Sequence, residues 1–347
     1  MFIFTDELMF LSVLTLSFIG ILVILLGYLT IRKTIEIRKR KKMERYRASY
    51  NPIISSILIE GSFSRKLVPE TILQQKALEQ LLSRYTKVIE GEEEKKRLSE
   101  LASMYLSDYY QKQLQSRKWS TRMNTLYHIE DFNMINLLED VFRLLNRKRL
   151  SNQERIFVLR ILALFQFSQL FDLLTTKFQH LTEFDYRHIL MPLEQNKFDQ
   201  YVLHFHHAEL PLQKAIIDVI ASKREVIYIH FLEKVFSSYS GEIRLRALKA
   251  LAEIGYVKNS APYLELLFSD KWEERMIAAK LIGSLKEEEA IPRLIELLHD
   301  RTWWVRSQAG HAISQFTQGK EILRSVLESS KDTFARDMAW EWLHKGV

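Results

Sequence analysis

Ile243-Arg244-Leu245-Arg246-Ala247-Leu248-Lys249-Ala250-Leu251-Ala252-Glu253-Ile254-Gly255 is the stretch whose reading decides the fold. Its apolar residues recur at helical spacing, and its Arg-x-x-Ala core returns down the chain. Arg244, Arg275, Arg306 and Arg336 are spaced by 31, 31 and 30 residues, each followed three residues later by Ala247, Ala278, Ala309 or Ala339. Behind the first three lies a second signature, read as Leu264/Leu267/Phe268, Leu294/Leu297/Leu298 and Leu323/Val326/Leu327. Pro262 and Pro292 fall where a second helix begins, a place where proline is tolerated. Asp270, Asp300 and Asp332 precede the next Arg-bearing helix, where a carboxylate can cap free N–H groups. Each unit therefore reads as helix, turn, helix in about 30 residues, and such a unit buries its apolar face only by stacking on its neighbours. The fold class is all-α, an α-solenoid.

The pattern Ile243-Arg244-x-x-Ala247-x-x-Ala250-Leu251-x-x-Ile254-Gly255, repeated as Val305-Arg306-x-x-Ala309-x-x-Ala312-Ile313, resembles HEAT repeats, in particular the short variety shared with bacterial phycobilisome-lyase-like proteins. The match is clearest over 241–347. Weaker echoes upstream are Arg122 with Leu138/Val141/Phe142, Arg155 with Leu170/Leu173/Leu174, Arg187, and Lys214 with Leu232/Val235/Phe236, giving HEAT-like repeats over 116–347 after a longer helical pair at 69–115. The resemblance implies that the repeated arginines pair with aspartates to tie neighbouring repeats together, and that the second helices line the concave face. On that face Tyr263, Leu266, Arg293, Glu296, Arg324 and Ser325 are expected to point outward and receive a partner. Their mixed chemistry suits a protein or peptide better than a phosphate backbone.

Ahead of the repeats, Leu8 to Ile31 carries no charge and is mostly Leu, Ile, Val and Phe. Twenty-four helical residues at about 1.5 Å each cover a hydrocarbon core of roughly 30 Å with some tilt. A cleaved signal peptide would have a basic start, a shorter apolar core and a small-x-small site. Here the only charges ahead of the run are Asp6 and Glu7, and Thr30-Ile31-Arg32-Lys33 follows it. Residues 32–47 hold nine basic and two acidic side chains, Arg38, Lys39, Arg40, Lys41 and Lys42 among them. The positive-inside bias predicts a single-pass protein of the cell membrane, with a tail (1–7) outside and the body in the cytoplasm. The same basic run either attracts anionic lipid headgroups or serves only as a topology determinant. Residues 32–68, with Asn51-Pro52 and Gly61, read as a basic segment and linker that partly docks on the next element.

Formal charge is +7 for 347 residues, but 32–47 alone contributes +7 and 1–31 contributes −2, leaving +2 for the rest. A near-neutral body argues against nucleic acid as a partner. Ten Gly and six Pro disfavour glycine-rich phosphate loops and β-sandwiches, and the absence of cysteine excludes disulfides, thiolate metal sites and thiol nucleophiles. His204-Phe205-His206-His207, with His188 and His230, lacks metal-ligand spacing, so no metal, cofactor or catalytic residue is assigned. Trp272 and Trp303 recur at the repeat period and read as packing between units, or as a ligand-binding aromatic face; Trp340 or Trp342 is expected to cover the last layer. The function expected is a non-enzymatic scaffold or adaptor at a bacterial membrane, serving a protein partner such as a membrane-bound glycosyltransferase. HEAT-fold enzymes of the bilin lyase or DNA glycosylase kind are the alternative.

Overall fold

The computed structural model describes residues 6–61 and 67–345. Residues 1–5 of the expected tail and 62–66 of the expected linker lie outside them. Among the described residues the chain is helical with no strand, and it forms two compact units, Met1–Phe165 and Gln166–Val347.

The first unit begins with α1 (Asp6–Glu60), followed by α2 (Ile72–Tyr85), α3 (Glu92–Leu114), α4 (Trp119–Asp131), α5 (Leu138–Arg143) and α6 (Asn152–Leu164). From Leu8 to Ile37 every side chain of α1 is exposed, and α1 is the one helix among the described residues long and apolar enough to cross a membrane. The segment expected to be a linker is helical through Glu60, with Pro52 inside the helix. A proline there removes a backbone hydrogen bond and costs about 3 kcal/mol in an isolated helix. The offset lies in the packing: Tyr50, Ile54, Ile57 and Leu58 are buried against α2 and α3. Gly61, at φ +69°, ends the helix in the left-handed conformation, and Arg97 on α3 donates to the last carbonyls, Leu58 O (2.9 Å) and Ile59 O (3.2 Å).

The second unit contains α7 (Leu170–Asp172), continued by a π-turn at Leu173–Lys177, then α8 (Glu183–Leu190), α9 (Gln195–His204), α10 (Leu210–Lys223) and α11 (Ile229–Ser238). The repeats follow: α12 (Gly241–Ile254) with α13 (Ala261–Glu265), α14 (Trp272–Leu285) with α15 (Ile291–Leu297), α16 (Trp303–Ser314) with α17 (Gly319–Ser329), and α18 (Thr333–His344). First helices pack on first helices, α10 on α12, α12 on α14, α14 on α16 and α16 on α18. Ala247, Ala278, Ala309 and Ala339 sit in these crossings with no exposed surface. At the closest crossing a methyl group on Gly283 would lie 2.7 Å from Ala312 Cα and Cβ. Gly283→Ala is therefore expected to destabilise the second unit by about 1–3 kcal/mol despite its better helix propensity, read as a lowered urea midpoint.

The second-helix signature needs one correction. In the first repeat the buried triplet is Tyr263, Leu266 and Leu267, not Leu264, Leu267 and Phe268; Phe268 is 65% exposed. Counted from the repeat arginine, Tyr263 and Leu294 both stand nineteen residues on, so the apolar rows of the first two repeats align by that distance, while Leu323 of the third stands seventeen on. Leu294/Leu297/Leu298 are buried as expected, while in Leu323/Val326/Leu327 only the last is half-exposed.

Candidate interaction surfaces

Three of the four repeat arginines, Arg244, Arg275 and Arg306, make contacts that tie turns together. Arg275 donates Nη1 backward to Ser269 O (2.7 Å) and Asp270 O (3.0 Å), and reaches forward with Nε and Nη2 to the Asp300 carboxylate (2.8 and 3.1 Å). Asp300 meanwhile accepts from Thr302 N in the turn that leads into α16. Burial alone would push the Asp300 carboxyl up, but the Arg275 guanidinium and the Thr302 N–H hold it below the usual carboxylate range. Arg306 repeats the backward half, to Asp300 O (2.8 Å) and Arg301 O (3.3 Å). Its forward half differs from expectation: Asp332 caps Phe334 N, the guanidinium lies 4.9 Å from the Phe334 ring, and its buried Nε has no hydrogen-bond partner among the described residues. Arg244 takes Glu274 (2.5 Å) rather than Asp270, whose carboxylate is exposed, and lies 4.2 Å from the Phe236 ring. Arg336 is exposed and makes no ion pair within 4 Å among the described residues.

The upstream unit contains the same clamp in its strongest form. Arg122 donates to Ser116 O (2.9 Å) and Arg117 O (3.1 Å) and forward to Glu154 (2.6 Å), both side chains being buried. Glu154 also closes a capping box with Ser151, whose hydroxyl accepts from Trp119 Nε1 (3.1 Å). A sequence signal for this exists and extends the motif used above: Ser or Asp, then Trp three residues on, then Arg three further. It reads Ser116-Trp119-Arg122, Ser269-Trp272-Arg275 and Asp300-Trp303-Arg306.

Six residues were expected to form an outward ridge, and the structure separates them. Tyr263 (3% exposed) and Leu266 (8%) are core residues; Tyr263 packs on Phe236 with ring centroids 5.1 Å apart, and burial raises its phenol pKa. The one-residue shift of register described above turned them inward. Arg293 is partly covered: it donates to Leu267 O, stacks 4.3 Å from Phe268 and pairs with Glu296 at 2.7 Å. Glu296, Arg324 and Ser325 are exposed. Arg293 directly precedes the buried Leu294, whereas Arg324 directly follows the buried Leu323, so the two are not equivalent in their repeats.

A different exposed surface stands at the turns between repeats. Phe268, Trp303, Trp304 and Phe334 are large, apolar and exposed. Successive turns adjoin, since Asp300 receives Arg275, and His299 Nε2 lies 3.0 Å from Ser330 Oγ. Trp303 and Trp304 meet edge to face at 4.7 Å, and the arginines over Phe268 and Phe334 add cation–π contacts. Aromatic and arginine side chains together are the composition that protein interfaces concentrate at their centres. Trp340 is exposed as well, while Trp342 is half-buried against the His311 ring at 4.7 Å.

On the first helices the surface is charged and self-neutralising. Arg246 bridges Glu183 (2.5 Å), Asp218 (2.8 Å) and Glu242 (2.9 Å), and Lys280 reaches Glu253 (2.5 Å). The histidine run is split by a change of helix type after His204. His206 Nδ1 lies 2.8 Å from Tyr239 Oη and His204 meets Phe171 edge-on, while no three His, Asp or Glu side chains among the described residues converge as metal ligands.

Residues 260–343 match the family described as HEAT repeats. The chain is thus an all-helical protein whose second unit carries HEAT repeats in that segment. No curated protein matches it in sequence. Among solved structures, two crystal structures of engineered proteins from the Northeast Structural Genomics Consortium are similar to it. One is 16% identical with a TM-score of 0.38, covering 89% of this chain and 96% of its own. The other is 15% identical with a TM-score of 0.27, covering 68% and 94%.

Proposed function

We propose that this protein is a membrane-tethered scaffold, without catalysis of its own, that presents a HEAT-repeat surface to a protein partner on the cytoplasmic side. The observation carrying the reading is α1: an uncharged, fully exposed run from Leu8 to Ile31 continues without a break into a helix whose far end is built into the folded body. Exposing that much apolar surface to water is unfavourable, at roughly 25 cal/mol per Å², and a bilayer removes the cost. The basic flank then sets the direction of insertion. Confinement to a membrane raises the effective concentration toward partners in the same plane.

The partner surface in this reading is the turn edge with Phe268, Trp303, Trp304 and Phe334, flanked by Arg293 and Glu296, with Arg324 and Ser325 exposed on α17. Two measurements test it. Full-length chain in a bacterial host should resist alkaline extraction, and a C-terminal alkaline phosphatase fusion should be inactive; release into the soluble fraction, or an active fusion, overturns the tether or its direction. In detergent-solubilised membranes, Trp303→Ala with Trp304→Ala should lose at least tenfold of a co-purifying partner while keeping the thermal midpoint. Lys249→Glu, on the exposed side of α12, should retain it. The reverse pattern would move the interaction to the first helices.

A further inference from the structure

The basic residues after the apolar run do more in the structure than line one end of a membrane helix. Lys39, Arg40 and Arg47 of α1 face α2 across a groove of about 730 Å³, and Lys76 on α2 closes the same groove. Spacing explains the assembly: positions 36, 39, 40, 43 and 47 recur every three or four residues, so they form one stripe of a helix. Met43, Ile72 and Leu73 line the groove as well, Ile72 being 64% exposed. Glu36 is the one carboxylate in the lining, against four cations. Arg40 and Arg47 share Glu44 outside the groove at 3.4 and 3.9 Å, while Lys39 and Lys76 have no carboxylate within 4 Å among the described residues.

We infer that this groove is a binding site for the headgroup of an anionic phospholipid of the inner leaflet, its phosphate met by Lys39, Arg40 and Lys76 while its acyl chains stay in the bilayer. The inference rests on the membrane reading of α1 and deepens it. Three facts favour a lipid over a diffuse charge effect. A topology signal needs only positive residues next to the span, whereas Lys76 lies on another helix, 45 residues beyond Ile31. Lys39 and Lys76, without a carboxylate partner within 4 Å among the described residues, leave positive charge in the groove for a ligand anion to neutralise. The height is also right. Ile31 to Lys39 is about 12 Å of helix, the headgroup layer extends roughly 5–7 Å past the hydrocarbon, and side chains of a helix lean toward its N-terminus. Long basic side chains here therefore reach back to the headgroups.

The test uses the full chain purified in neutral detergent, with bound lipid counted by native mass spectrometry. Phosphatidylglycerol should be retained at least tenfold better than phosphatidylcholine. Lys39→Gln with Lys76→Gln should abolish that preference, and Arg38→Gln with Lys41→Gln, which removes the same charge from outside the groove, should preserve it. Equal loss in both variants would reduce the effect to general electrostatics and overturn the site. Retention of both lipids alike would do the same, and displacement by soluble glycerol phosphate as effectively as by the lipid would make it a free-anion site. Alkaline extraction of the unmodified chain scores membrane insertion separately, so a failed anchor and a failed groove give different results.

Discussion

Glu154→Ala is expected to destabilise the first unit by about 3–5 kcal/mol, because it leaves the Arg122 guanidinium charged and buried with no counter-ion. The two backbone carbonyls at Ser116 and Arg117 would remain as its acceptors, but neither carries charge. The same change removes the carboxylate half of the α6 capping box, to which Ser151 N–H and the Ser151 hydroxyl that accepts from Trp119 both donate. Hydrogen exchange should show the amides of α4 and α6 losing protection together. Replacing both partners, Arg122→Met with Glu154→Leu, should recover much of the loss, since a buried pair is often little better than apolar residues of similar volume. Unchanged exchange in Glu154→Ala would mean that the clamp contributes nothing.

The pair also has a pH signature. Burial pushes the Glu154 carboxyl up, yet the Arg122 guanidinium and the Ser151 hydroxyl and N–H outweigh it and leave the group below its ordinary value. A carboxyl with a depressed folded-state pKa stabilises the protein above its unfolded value, about 4.3, and that contribution is lost as pH falls through the folded value. Wild-type stability should therefore fall with acid below about pH 4.5. Glu154→Gln should start lower and fall less steeply, measured as urea midpoints across pH 2–7.

Ala278→Arg should be the most damaging single change in the second unit, costing at least about 4 kcal/mol. Ala278 has no exposed surface and stands where first helices cross, so the side chain must force helices apart or bury a charge without a partner. Glu288→Lys reverses a charge only ten residues away, on the exposed turn before α15, and should stay within about 0.5 kcal/mol. Thermal melts of the full chain would show a large shift for the first and almost none for the second. Comparable shifts would place Ala278 outside the helix crossing.

The repeat was legible because it is written in spacing. Arginine and alanine recur near every 31 residues for reasons local to each unit, a clamp on the preceding turn and a gap for the next helix, so identity at those positions follows from geometry that repeats. The helix pairs and the buried alanines could be read this way, as could the Arg275 pairing with Asp300, whereas Arg244 takes Glu274 and Arg336 stays exposed. The ridge could not be read. Whether Tyr263 or Leu264 faces inward depends on how the short second helix is set against the first, and one residue rotates a helical position by about 100°. Arg293 illustrates the same limit, because its charge suggested a free surface while its stacking on Phe268 depends on the neighbouring turn.

Sequence by itself determined the all-helical class, the period, the apolar run and the charge step that follows it, since each depends on residues near one another in the chain. Tertiary structure alone decided which acid each arginine receives, carried α1 through Pro52 as one helix, and brought Lys76 opposite Lys39. Those outcomes join residues 25 to 37 positions apart or set a buried face against an unfavourable local propensity. Propensity acts within a turn of helix. Packing acts across the stack, and there it prevails because burying Tyr50, Ile54, Ile57 and Leu58 together outweighs the hydrogen bond that a single proline removes.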